Sequence, residues 1–206
     1  MTMTPRVQKA AILAHVACSV GWMGAVAAYL ALAWSGLRGT DAELARSAYL
    51  SMELVGWTVI VPLSLATLLS GLVQSLGTEW GLFRHYWITV KFLMAAVGSV
   101  ILLIHMRTVG EMAGFARAIT LSATEHGDLR ISLLVHAVGG LLLLLTATAL
   151  SVYKPWGLTP YGRKQLEQRP IGGTSSHGLT ILLGVIGTIL LLLLLHHLAG
   201  GGMHHH

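Results

Sequence analysis

Charged side chains are scarce in this 206-residue sequence, and their scarcity argues against an ordinary soluble protein. Asp, Glu, Lys and Arg together make up 10% of the chain, whereas a soluble domain carries about 25%. The mean hydropathy is +0.72, and several apolar runs reach the roughly 20 residues that a helix needs to cross a bilayer. Lipid is therefore the expected solvent for most of the chain.

Cysteine is almost absent as well. The only one, Cys18, lies inside the first apolar run, which excludes an internal disulfide framework and a cysteine metal motif. We interpret it as a small buried apolar residue. The formal net charge of +5 does not indicate nucleic-acid binding, because the basic residues lie in short loops beside apolar spans.

The apolar runs predict an all-α integral membrane protein. We expect an antiparallel four-helix transmembrane bundle plus a fifth, C-terminal transmembrane helix. The five spans are expected at about 10–34, 48–76, 87–106, 131–153 and 179–198. The predicted units are a core at 1–153, a cytoplasmic linker at 154–176 and a last helix with its tail at 177–206. The histidines at 204–206 resemble a truncated tag and are excluded from the functional argument.

Two local features add detail to the predicted arrangement of helices. Pro62 lies near the middle of the second span and predicts a kink, since proline removes a backbone donor and clashes with the preceding turn. The segment 109–121 is amphipathic at helical spacing. It is expected to be either a helix on the membrane surface or an ordinary helix within a loop.

Lysine distribution predicts the orientation. Every lysine lies on the side that carries the N-terminus (Lys9, Lys91, Lys154 and Lys164), whereas the nine arginines divide between the two sides. The positive-inside rule then puts the N-terminus in the cytoplasm and the C-terminus outside, in a multi-pass protein of the cell (inner) membrane.

One predicted span, Trp87 to Arg107, carries two polar side chains that lipid would normally exclude. Lys91 and His105 are 14 residues apart, so at about 100° per residue they fall within roughly 40° of each other. Ionisable groups inside a membrane usually face the bundle interior and are candidate functional groups.

The depth of each residue groups Lys91 with His15, which is at a similar level of the first span. A charged lysine would favour a neutral imidazole, and a neutral imidazole can ligate a metal or take a proton. Alternatively, Lys91 extends to the headgroups and His15 hydrogen-bonds a carbonyl.

A second polar layer is expected at the other end, where Glu53, His105 and His136 share a depth. Two imidazoles facing across a bundle can hold a haem iron axially, and Arg107 and Arg130 could then pair with the propionates.

The same layer has two other interpretations. Glu53, His105 and His136 together suit iron, zinc or copper. Three nearby methionines, Met52, Met106 and Met112, favour Cu(I). Otherwise Glu53 pairs with one of the two histidines as a buried, charge-compensated contact.

Several motifs resemble those of small bacterial four-helix membrane proteins, over roughly residues 8 to 155. The motifs are His15 followed by Trp22-Met23-Gly24-Ala25, then Leu69-Ser70-Gly71-Leu72, then Trp87 with Lys91-Phe92-Leu93, and finally Leu103-Ile104-His105. The group includes copper-export D-type proteins and the four-helix protoporphyrinogen oxidase. The segment from Tyr153 to Arg163 resembles an uncharacterised actinobacterial branch.

The oxidase resemblance implies that His15 and Lys91 are a functional pair and that a b-type haem is bound. The copper resemblance implies copper transport. The chain departs from both in having Gly24-Ala25 where a glycine pair is usual, and in adding Glu53 and His136.

The leading prediction is a b-type haem within the bundle, for electron transfer or redox sensing, with His105 and His136 as axial ligands and His15 and Lys91 as a second polar site. The alternatives are copper or zinc binding or transport at the outer site, and a non-catalytic subunit whose polar layers hold helices together. The expected partner is the lipid bilayer. A quinone or other electron-transfer partner and a homo-oligomer stay open.

Overall fold

The computed structural model describes residues 3–38, 41–77, 81–118, 127–155 and 157–167. The residues up to Lys164 form one compact unit. The predicted fifth transmembrane helix at about 179–198, with its tail to 206, and the linker residues after 167 lie outside the described residues.

The described part of the chain is α-helical, with a π-helical turn in the second span and no strand. The elements are α1 (Pro5–Arg38), α2 (Ala42–Val55), the π-helix Gly56–Ile60, α3 (Val61–Gly77), α4 (Tyr86–Arg117), α5 (Gly127–Tyr153) and α6 (Pro160–Glu167). Four stretches are long and apolar enough to cross a membrane: Pro5–Arg38, Ala42–Gly77, Tyr86–Arg117 and Gly127–Tyr153. The prediction of an all-α membrane bundle is confirmed.

The four spans form a ring in which each is adjacent to two others. The first span packs on the second and on α5, and α4 packs on the same two. Successive spans run in opposite directions, as short connections require. The second span begins at Asp41, whose carboxylate accepts a hydrogen bond of 2.9 Å from the Glu43 amide and caps an otherwise unpaired helical donor.

The disturbance expected at Pro62 takes the form of the π-helical turn Gly56–Ile60. Proline has no amide hydrogen, and its ring clashes with the preceding turn. One widened turn absorbs both effects, and within it the Val61 amide donates to the Gly56 carbonyl, five residues earlier. Such turns are rare and often lie beside functional groups.

The structure contradicts the separate helix expected at 109–121, as far as that segment is described. Helix α4 instead continues without a break to Arg117. Its last turns are among the most deeply buried of the described residues, because they pack against α2. Val109, Met112, Ala113 and Ala116 are each at most 1% exposed. The apolar side of that amphipathic pattern therefore faces protein, and α4 extends beyond the predicted span end at 106.

Helices α1 and α2 contact each other closely at the end of the bundle that contains the last turns of α4, and this contact requires a glycine. A Cβ atom on Gly36 of α1 would lie 2.6 Å from the Tyr49 ring, and Tyr49 is only 1% exposed. A Cβ atom on Gly24 of the same helix would meet nothing within 4 Å.

These two glycines make a matched pair for a stability test. We expect Gly36→Ala to lower the free energy of unfolding by about 1–3 kcal/mol, because the buried Tyr49 ring must move. We expect Gly24→Ala to be neutral or stabilising by up to about 1 kcal/mol, since alanine favours helix. Denaturant titration of the purified protein in micelles measures both. Equal effects of the two substitutions would contradict the close contact.

Candidate functional site

A central cleft of about 310 Å³ lies in the half of the bundle that contains the N-terminus. All four spans line it, and its volume is at the lower end of small-molecule sites. Its polar lining residues are Gln8, His15, Ser19, Thr67, Gln74, Ser75, Lys91, Thr148, Ser151 and Lys154. Its walls include Trp22 and Trp87. The cleft therefore brings together His15 and Lys91, which the sequence places at one depth.

The His15 ring is held by two contacts with α3. Its Nδ1 atom lies 3.2 Å from the Thr67 carbonyl oxygen and 3.0 Å from the Ser70 hydroxyl oxygen. A carbonyl can only accept, so Nδ1 carries the hydrogen and Nε2 keeps its lone pair. The ring also packs against Gly71, where an added Cβ would lie 3.0 Å from the imidazole Cε1. Glycine at this position therefore lets the ring lie close to α3.

Two lysines give the cleft a positive charge. The Nζ atoms of Lys91 and Lys154 lie 5.5 Å and 6.0 Å from the centroid of the Trp87 ring, within the range of cation–π contacts. Lys154 follows the last turn of α5 and adopts a left-handed conformation, with φ of 45°. None of the described residues that line the cleft is acidic. The cleft therefore suits a ligand with negative groups.

The predicted outer layer brings His105 and His136 into contact. Their ring centroids are 4.0 Å apart, and the ring planes differ by 11°. His136 is on the exposed side, and its Nδ1 donates to the Ser132 carbonyl over 2.8 Å. His105 is 6% exposed, and its buried Nε2 has no hydrogen-bond partner among the described residues.

This stacked geometry does not fit an iron held between the two rings. Imidazole lone pairs lie in the ring plane, so those of two parallel, stacked rings point past each other. Two axial nitrogens must instead approach one metal from opposite sides, each at roughly 2 Å. A haem bound by both His105 and His136 would require at least one ring to turn out of the stack.

The two arginines predicted to pair with propionates have different surroundings. Arg130 is 6% exposed, and its guanidinium carbon lies 5.9 Å from the centroid of the Tyr49 ring. Arg107 is exposed on α4. The buried arginine is thus packed against an aromatic ring between helices.

Glu53 makes an ion pair with Arg117 in the last turn of α4, which differs from the expected pairing with a histidine. No three or more of the described histidine, cysteine and acidic side chains form a group able to hold a metal ion. In the described structure, Glu53, His105 and His136 therefore do not assemble the predicted metal site.

No family model, curated protein or solved structure matches the chain. The resemblance to four-helix membrane proteins therefore stays a prediction from the motifs, and the site is argued from its own geometry.

Sequence reasoning did not find Lys154 or Arg117 as site residues. Lys154 was placed in the linker, although it directly follows the fourth apolar span. Lys154 lies one residue beyond α5, at the level of Trp87 near the start of α4. This position at the end of an apolar span was the feature of the sequence that could have indicated a site residue. Arg117 was missed because α4 was expected to end near 106.

The Glu53–Arg117 pair should contribute little to stability. Arg117 is 58% exposed and Glu53 is 22% exposed, and water screens such a pair to about 1 kcal/mol or less. We expect Arg117→Gln to change the free energy of unfolding by no more than that. Met112→Ala, one turn earlier and fully buried, should cost about 2–5 kcal/mol. A larger loss for Arg117→Gln than for Met112→Ala in denaturant titrations would show that the ion pair holds α4 in place.

Proposed function

We propose that the chain binds a b-type haem in the central cleft, for electron transfer or redox sensing, and that His15 would hold the iron through Nε2. The observation that carries this proposal is the fixed orientation of the His15 imidazole. Its Nδ1 is engaged by the Thr67 carbonyl at 3.2 Å, which leaves Nε2 as the nitrogen with a lone pair. Metal-ligating histidines almost always donate their other ring hydrogen in this way.

Several residues that line the cleft also have chemistry that suits this group, although a haem is larger than the 310 Å³ cleft and would require the spans to move apart. The ammonium groups of Lys91 and Lys154 lie beside one indole, where two carboxylates of a bound tetrapyrrole can make charge-assisted hydrogen bonds. Trp22 and Trp87 offer aromatic surface, and Leu143 and Leu144 offer apolar surface. The family resemblance assigns functional importance to the same two residues, His15 and Lys91.

In this proposal the haem supplies the redox chemistry. The chain supplies one ligand, a cationic polar end and apolar walls, which are the features that tune a bound haem. Ser70 supports the ligand indirectly. Its hydroxyl donates to the Ala66 carbonyl at 2.6 Å, so its oxygen faces the His15 Nδ1 as an acceptor.

The proposal includes a location and an orientation. The lysine distribution favours the cell (inner) membrane with the N-terminus in the cytoplasm and the C-terminus outside, which puts the cleft near the cytoplasmic side. A quinone or another electron-transfer partner, and a homo-oligomer, stay predictions. Copper or zinc binding at the outer layer and a non-catalytic subunit are the competing functions, and none of the described contacts favours either.

The absorption spectrum and haem content of the purified full chain test the proposal. We expect a Soret band and close to one haem per chain by the pyridine haemochrome assay. His15→Ala should lose at least about nine-tenths of this haem, because it removes the ligand atom. His136→Ala is the matched control, and it should keep the haem, because this histidine lies in the outer layer.

Other outcomes identify the competing functions. A Soret band that survives in His15→Ala but disappears in His105→Ala and His136→Ala would overturn the assignment to the cleft and favour the outer pair. Colourless protein with stoichiometric copper or zinc would replace haem by the metal function. Protein without any cofactor after expression with added haem precursor would contradict the proposal altogether.

A further inference from the structure

A second cavity lies apart from the central cleft, at the start of α4. We call it the interfacial groove. It has a volume of about 700 Å³ and is lined by Tyr86, Val90, Gly157, Leu158 and Arg163. Four of these residues offer mainly apolar or aromatic surface, and one is a cation. A concave apolar site with a single charged group typically binds an amphiphilic molecule.

The chain that follows α5 forms one wall of the groove and is tied to the loop before α4. The Thr159 amide donates to the Arg84 carbonyl over 2.9 Å, and the Thr159 hydroxyl donates to the Phe83 carbonyl over 2.6 Å. His85 and Leu158 also form an isolated antiparallel bridge. These contacts hold the wall in place.

A glycine allows the close approach of this wall. A Cβ atom on Gly162 would lie 2.5 Å from the Arg84 carbonyl oxygen, so no other residue fits without movement. This contact holds the first turn of α6 against the loop that precedes α4. Arg163, the next residue, is thereby brought to the groove.

The position along α4 puts the groove at the membrane surface. Tyr86 is the first residue of a helix long and apolar enough to span a bilayer, and Val90 lies four residues further, about 6 Å deeper. Tyrosine is enriched at the level of the lipid headgroups, and this one is 44% exposed. The groove therefore extends from headgroup level towards the hydrocarbon.

Charge decides which amphiphile fits. Arg163 is exposed and forms no ion pair with the side chains that the structure describes up to Gln165. Arg84, Lys154 and Lys164 lie in the same part of the chain and add positive charge. Juxtamembrane clusters of basic residues attract anionic lipids, and an arginine fork matches the geometry of a phosphate.

We propose that the interfacial groove binds one anionic phospholipid, with its phosphate on Arg163 and an acyl chain along Val90 and Leu158. This inference is independent of the haem proposal, because the groove and the central cleft share no lining residue. It predicts a saturable lipid site with a preference for an anionic headgroup.

Native mass spectrometry of the full chain in micelles, titrated with phosphatidylglycerol or phosphatidylcholine, tests the site. We expect one saturable phosphatidylglycerol and clearly weaker binding of phosphatidylcholine. Arg163→Gln should weaken phosphatidylglycerol binding about tenfold or more, because it removes charge-assisted hydrogen bonds to the phosphate in addition to one surface charge. Val90→Trp should weaken it as much by filling the apolar part of the groove.

The matched control is Lys164→Gln, which removes the same charge from the neighbouring residue without altering the groove lining. It should weaken the affinity no more than about fivefold, the size expected for one surface cation without a direct contact. An equal loss in Lys164→Gln and Arg163→Gln would overturn the site in favour of general surface charge. Equal affinity for the two lipids, or release of phosphatidylglycerol by millimolar inorganic phosphate, would also overturn it. Unchanged helix content by circular dichroism establishes that each variant is folded.

Discussion

The molecule depends on a constraint that the hydrocarbon imposes, namely that polar groups inside it must find partners within the protein. Most hydroxyl groups in the spans meet this constraint locally, by donating to a carbonyl one turn earlier in their own helix. Examples are Ser19, Thr58, Ser99, Thr146, Thr148 and Ser151. The described side chains that reach another helix include His15 and Gln74 near the N-terminal end, and Glu53 near the other.

The two halves of the bundle have different packing, and this difference separates stability from binding. At the end formed by α2 and the last turns of α4, small residues and methionines are almost completely buried. At the other end the four spans enclose the central cleft, whose lining is polar on several helices. A membrane protein gains little from the hydrophobic effect between its helices, so close packing must hold them together. The densely packed end can provide that stability while the other end stays open to a ligand.

The helical membrane fold, and which polar residues lie at the same level of neighbouring helices, could be predicted from the sequence. Depth follows directly from residue number at a fixed rise per residue, so His15 with Lys91, and His105 with His136, were correctly matched. Contacts depend also on how each helix is rotated and where it ends. Glu53 therefore has a partner, Arg117, that lies beyond the expected end of α4. The stacking of the two imidazoles is likewise a matter of side-chain rotation, which residue spacing does not determine.

The widened turn in the second span has a consequence for the directions in which the side chains on its two sides point. A π-helical turn holds one residue more than an α-helical turn, so everything after it is rotated by about 100° relative to a continuous α-helix. Before the turn, Glu53 faces α4 and pairs with Arg117. After it, Thr67 and Ser70 face α1 and hold His15. The inserted residue thus sets the rotation of one part of the span relative to the other, so that Glu53 can face α4 while Thr67 and Ser70 face α1.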